Sequence, residues 1–231
     1  MSFINTVKQS FLTSLKTGPR SNEKLKILHG FIARDLQTKL GDQYKVIGYG
    51  IHDGKEGSIS GRYMDKNVDI IVMKNNLTMA GLGVKFVMSN YSQNSNNYFE
   101  NMLGETANIR SAKIPYFQIF IIPERLPYYQ KDGAFAKWDT VNANNLSKYI
   151  KLSEDNIDTF YHTPNKTLFA LLTIDGFTTS NPQNSNEFIN YYTTNDFNIN
   201  YSKQQIKFNQ QTVYNDYESF IEKVKHFIFS I

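Results

Sequence analysis

A chain of 231 residues fits one domain, and 40% apolar residues with 17 Phe and 15 Tyr can bury a sizeable core. Charged residues at 20% do not describe a disordered chain, and the absence of cysteine excludes disulfides, thiolate catalysis and cysteine-ligated metal sites. The net charge of +4 and a pI near 9.0 permit a polyanionic partner without specifying one, because the basic residues are spread out rather than clustered. No stretch approaches the roughly 20 apolar residues of a membrane span. The first twenty residues lack the unbroken apolar core of a signal peptide. A soluble, cytoplasmic protein with no membrane association is expected.

In chain order, residues 3–15 predict a short helix, ended by the Gly18-Pro19 break. Residues 21–40 predict the clearest helix: Ser21 is placed to cap it, Glu23 lies in its first turn, and Gly41 closes it. Leu25, Leu28, Ile32, Leu36 and Leu40 form its apolar stripe. A short strand at 44–49 and a glycine-punctuated loop or hairpin up to Tyr63 follow. VDIIVM (68–73) and LGVKFVM (82–88) read as two strands joined by KNNLTMAG as the turn region. Residues 94–109 suit a helix, and IPYFQIFIIP (114–123) a buried strand. Further on, 168–175 reads as a strand and 213–229 as a closing helix with Tyr217, Phe220, Ile221, Val224 and Phe227 inside. The polar segment 176–212 suits loops or short strands. The expected fold is one α/β or α+β domain with a mixed sheet flanked by helices.

Two ionisable side chains interrupt the apolar strands. Asp69 shares a strand face with Ile71 and Met73, and Lys85 shares one with Gly83 and Val87. Charges inside adjacent strands are expensive unless paired, metal-bound or solvated by a cleft. Alone, such a pair is equally well a structural ion pair at a sheet edge. The next helix adds a stripe of Asn97, Glu100, Asn101, Gly104, Glu105 and Asn108, without a single lysine. An ordinary solvated face usually carries lysines as well as acids. A small, amide-rich, acidic stripe suits a metal site or a face turned toward DNA.

The order Asp69, hairpin, Lys85, acidic helix and buried strand resembles the PD-(D/E)xK nuclease superfamily, in particular Type II restriction endonucleases. The resemblance covers about residues 21–123 and implies a restriction-endonuclease-like fold, with DNA-recognition elements within 125–212. It also implies Mg²⁺-dependent hydrolysis of double-stranded DNA at a short specific sequence, carried out by a homodimer. Glu23 matches the accessory helix acid of the family. The family's strand carboxylate, two residues before the lysine, is Gly83 here, and Val68 stands before Asp69 where the family has proline. Some members supply the missing acid from the following helix. Glu100 is the expected donor and Glu105, further along the helix, the second choice, so Asp69 and Glu100 are the expected metal ligands with Lys85 acting on the attacking water.

Other features carry less. His29, His52, His162 and His226 show no metal spacing, with His29 read as packing or surface. The segment 52–61 matches no phosphate-binding pattern and reads as a hairpin turn, with Glu56 as one further acid near the metal. Trp138 and the tyrosine pairs 128–129 and 191–192 read as packing before base stacking. The Asn clusters at 94–97 and 142–145 are read as compositional before they are read as a base-reading surface. The rival readings are a non-catalytic nucleic-acid-binding module and a repair or RNA nuclease of the same fold.

Overall fold

The computed structural model describes residues 1–18, 21–51 and 54–231. Pro19 and His52, named above, lie outside the described residues. The first helix, α1 (Phe3–Thr17), is capped by the Ser2 hydroxyl, which accepts from the Asn5 N–H, and stops at Gly18 with φ +82°. The second, α2 (Glu23–Leu40), ends at Gly41, as expected. Its N-cap is Asn22 rather than Ser21, although the Ser21 hydroxyl still accepts from the Glu23 N–H.

The chain then enters β1 (Lys45–Gly48), followed by a hairpin of β2 (Gly57–Ser60) and β3 (Asp65–Val68) that stands apart from the main sheet. One residue later β4 (Ile70–Lys74) begins, and it returns as β5 (Leu77–Phe86). The expected eight-residue turn is only Asn75-Asn76, both at positive φ, the two-residue hairpin whose twist matches its strands. Leu77–Gly81 therefore belong to β5. A long helix, α3 (Tyr91–Ser111), crosses to β6 (Tyr116–Pro123), which runs parallel to β5.

The second half adds the hairpin β7 (Arg125–Tyr129) and β8 (Phe135–Thr140), helix α4 (Ser147–Leu152) and strand β9 (Lys166–Ile174). Helix α5 (Ser185–Thr194) lies within 176–212, where loops or short strands were expected; the Asn184 side chain caps it and Phe188 and Tyr192 anchor it. Strands β10 (Ile199–Tyr201) and β11 (Thr212–Tyr214) and helix α6 (Tyr217–Phe229) complete the chain. The inner face of α6 includes Ile228, while Phe227 is only partly buried.

The seven-stranded mixed sheet runs β1-β4-β5-β6-β9-β10, with β11 also paired to β9. Period-two alternation divides its side chains between two layers. Ile70, Val72, Leu82, Phe117, Ile119 and Ile121 pack under α1, α2 and α6. Phe120, Ile122, Phe169 and Leu171 join Met102 and Tyr149 of α3 and α4 on the opposite face. A third, smaller cluster of Ile59, Val68, Ile71, Ile109 and Tyr116 roots the β2–β3 hairpin against the end of α3. The chain is thus a mixed α and β domain with helices on both sheet faces. No helix among the described residues is long and apolar enough to cross a membrane.

Candidate active site

Asp69 occupies the single residue between β3, which pairs with β2, and β4, which pairs with β1 and β5. The β4–β5 ladder ends at Ile70–Leu82, so the next β5 donor on that side needs another acceptor. The Asp69 carboxylate provides it: the Val84 N–H donates to Oδ2 at 2.7 Å. On the other side, a Cβ on Gly48 would stand 2.9 Å from the Asp69 carbonyl oxygen, so only glycine lets β1 pass there. The bend therefore aims the carboxylate along β5, toward Gly83 and Lys85.

The carboxylate is three-quarters shielded from water. Burial raises its pKa to about 6; the Val84 hydrogen bond opposes the rise, the charge of Glu105 adds to it, and Lys66 and Lys85 oppose it. Behind it, α2 presents His29, which is 2% exposed, with Nδ1 3.7 Å from Asp69 Oδ1 and no hydrogen-bond partner. Burial holds the His29 pKa down to about 4 against the pull of Glu56, so the imidazole is neutral at pH 7. The Lys85 ammonium lies 4.4 Å from the Tyr98 ring centroid. Its pKa is lowered by desolvation, opposed by Asp69 and reinforced by Lys24.

Asp69, Lys85 and Tyr98 line one open cleft of about 580 Å³ together with Gly83, Glu100, Glu105 and Gln118. The structure distinguishes between the two helix acids. Because β6 is parallel to β5, the connecting α3 runs back along β5: Tyr98 meets Lys85 near the strand end, and Glu105 meets Tyr116 beside Gly81. Glu105 lies seven residues beyond Tyr98, about 10.5 Å along the helix, which is about three strand residues back from Lys85, so it and not Glu100 stands at the Asp69 end of the cleft, where its charge acts on the Asp69 carboxylate. Its Oε2 accepts from Lys66 Nζ at 2.9 Å, and its Oε1 accepts from the Tyr116 hydroxyl. Glu100 also lines the cleft but is exposed, and the cation that feels its charge is Lys148.

Glu23 is exposed, paired with Lys26 at 2.7 Å, and absent from the cleft lining. Glu56 lies in the same electrostatic neighbourhood; burial and then the Asp69 charge raise its pKa. Asn108, last of the acidic stripe, is buried and holds the β2–β3 turn: its Oδ1 accepts from the Tyr63 and Met64 N–H groups, and its Nδ2 donates to the Met64 carbonyl. His162 and His226 pair with Asp155 and Glu222, away from the cleft. Trp138 packs against Phe135 and Phe177 and donates to Asn181.

Sequence reasoning missed Lys66, Tyr116 and Gln118. Gln118 carried a readable signal, as the lone amide of a strand whose every residue is buried. It stands level with Gly83 in the β5–β6 register. A Cβ on Gly83 would lie 2.6 Å from the Tyr116 hydroxyl and 2.9 Å from each polar atom of the Gln118 amide. The position of the family's strand carboxylate is therefore filled from the neighbouring strand.

Among the described residues no three of His, Cys, Asp and Glu gather closely enough to hold a metal ion by themselves. The cleft does offer two carboxylates, Asp69 and Glu105, the charge of the second acting on the first, beside a buried amide. That donor set fits a hard cation such as Mg²⁺, which takes one or two protein carboxylates and completes its shell with water and phosphate oxygens. No protein-family model, curated protein or solved structure matches the chain.

Proposed function

We propose that the protein is a metal-dependent endonuclease of the Type II restriction type, hydrolysing phosphodiester bonds in double-stranded DNA at a short specific sequence. The observation that carries this reading is the Asp69 carboxylate, hydrogen-bonded to β5 one residue before Lys85 and level with Glu105 in an open cleft. The order of α2, Asp69, the Lys85 strand, α3 and β6 supports it, being the order the resemblance implies.

Asp69 and Glu105 would hold Mg²⁺, which when bound supplies charge neutralisation at the scissile phosphate. Lys85 orients the attacking water, and the lowering of its pKa by desolvation favours the neutral amine that can accept the water's proton. The water oxygen bonds to phosphorus, the bond to the leaving ester oxygen breaks, and solvent protonates that oxygen. His29, neutral and buried, packs behind the Asp69 carboxylate without a hydrogen bond to it. Two copies would act on the two strands of a palindromic site, each cleft cutting one strand.

A second reading, a non-catalytic nucleic-acid-binding module, is favoured by Glu105 being already matched by Lys66 and Tyr116. Incubating supercoiled plasmid with the protein and Mg²⁺ separates the two. Discrete fragments that vanish with EDTA support the nuclease; retention of DNA without cutting, across sequences and divalent ions, supports the module.

A further inference from the structure

The Gln118 side chain is 6% exposed, faces the cleft from the middle of β6, and sits among Phe, Ile and Tyr side chains. Burying an amide in such a strand is unfavourable unless its polar atoms are used. The Tyr116 hydroxyl donates to Glu105, and a carboxylate only accepts, so the phenolic proton is committed. The Tyr116 hydroxyl and both polar atoms of the Gln118 amide crowd the space beside Gly83. With its proton committed, the Tyr116 oxygen suits only the Nε2–H side of that amide, which leaves the Gln118 carbonyl oxygen for the cleft.

That oxygen lies 2.9 Å from where a Gly83 Cβ would stand, level with Asp69 across the end of the β4–β5 ladder. Glycine at 83 is what makes room for it. Resting on the cation-dependent reading of the cleft, we propose that the Gln118 carbonyl oxygen is a third protein ligand of the divalent cation, alongside Asp69 and Glu105. A neutral oxygen thus replaces the carboxylate absent from Gly83. Two carboxylates and one amide carry less negative charge than three carboxylates, and cation affinity follows ligand charge. The site should bind divalent ions loosely in free protein and gain affinity when a charged ligand is added.

The test is calorimetric titration of the free protein with Mn²⁺, without DNA, so that cation binding is read independently of cleavage. Wild type should bind, and Asp69→Asn should not. Gln118→Met keeps the length and removes the carbonyl, and should weaken binding by about tenfold or more, the low end of what a metal-site contact contributes. Gln118→Glu should tighten it by a similar factor. Gly83→Ala leaves Gln118 in place but crowds its amide, and should weaken binding as Gln118→Met does. Circular dichroism checks folding, and should Gln118→Met fail to fold, the isosteric Gln118→Glu decides. If Asp69→Asn abolishes binding while both Gln118 variants match wild type, Gln118 is not a ligand and the cleft reading stands. If wild type binds no Mn²⁺ at millimolar concentration, this proposal and the cation-dependent reading fall together.

Discussion

The Val84 N–H and the Asp69 carboxylate form a 2.7 Å hydrogen bond that does the work of the missing next rung of the β4–β5 ladder. One interaction ends a sheet edge and aims an acid at the neighbouring lysine. Asparagine can accept the same bond without the charge, so Asp69→Asn should keep the fold and DNA binding while cleavage falls below detection. Plasmid digestion and a binding titration read both quantities, and wild-type cutting by this variant would place the chemistry elsewhere.

The same substitution makes a stability prediction. The folded-state pKa of Asp69 is about 6 against an ordinary 3.8, so folding favours the protonated form. Its contribution to stability is full below about pH 4 and is lost as the pH rises through 6. Asp69→Asn, neutral throughout, should therefore stabilise the protein at pH 8 by about 3 kcal/mol. At pH 4 the two should melt together. An equal difference at both pH values would mean the carboxylate is not strained by its site.

Cation binding requires the ionised carboxylate, so Mg²⁺ should compete with the proton at Asp69. Cleavage rates at low Mg²⁺ should rise through a limb near pH 6, and saturating Mg²⁺ should move that limb to lower pH. A limb that stays fixed as Mg²⁺ is raised would assign it to another group.

The helix acids are expected to differ. Glu105→Gln should reduce cleavage by about a hundredfold or more, the scale of a lost catalytic group. Glu100→Gln should be milder, since its carboxylate is exposed and is not among the charges that shift Asp69. Single-turnover rates on one cognate site compare them; a dead Glu100→Gln with an active Glu105→Gln would reverse the assignment. Gly83→Glu should not restore cleavage in the Glu105→Gln background, because a side chain at 83 meets the Tyr116 hydroxyl and the Gln118 amide.

Asn108→Ala removes three hydrogen bonds that fix the β2–β3 turn, and with it the strand carrying Lys66. A loss of about 2 kcal/mol in stability is expected, with water replacing part of what is lost. Amide hydrogen exchange over residues 61–68 should quicken more than in the central strands, and uniform change across the sheet would show that the turn is not a separate unit.

What the sequence determined by itself was local. The apolar stripe of α2, the Gly41 stop and the strands around Asp69, Lys85 and Ile119 follow from periodicity, capping and β-branched content, which are properties of neighbouring residues. The break at Asp69 could not be read, because β-forming residues flank it on both sides and only the pairing of β3 with β2 separates β3 from β4. Segment 176–212 concealed α5, whose two buried aromatics, Phe188 and Tyr192, stand four residues apart among polar side chains. Counting residues from Lys85 favoured Glu100, whereas the parallel pairing of β5 and β6 turns α3 back and brings Glu105 level with Asp69. Strand register likewise set Gln118 beside Gly83, thirty-five positions apart in the chain. Such neighbours are made by hydrogen-bonded strands and a crossover helix, and distance along the chain carries no record of them.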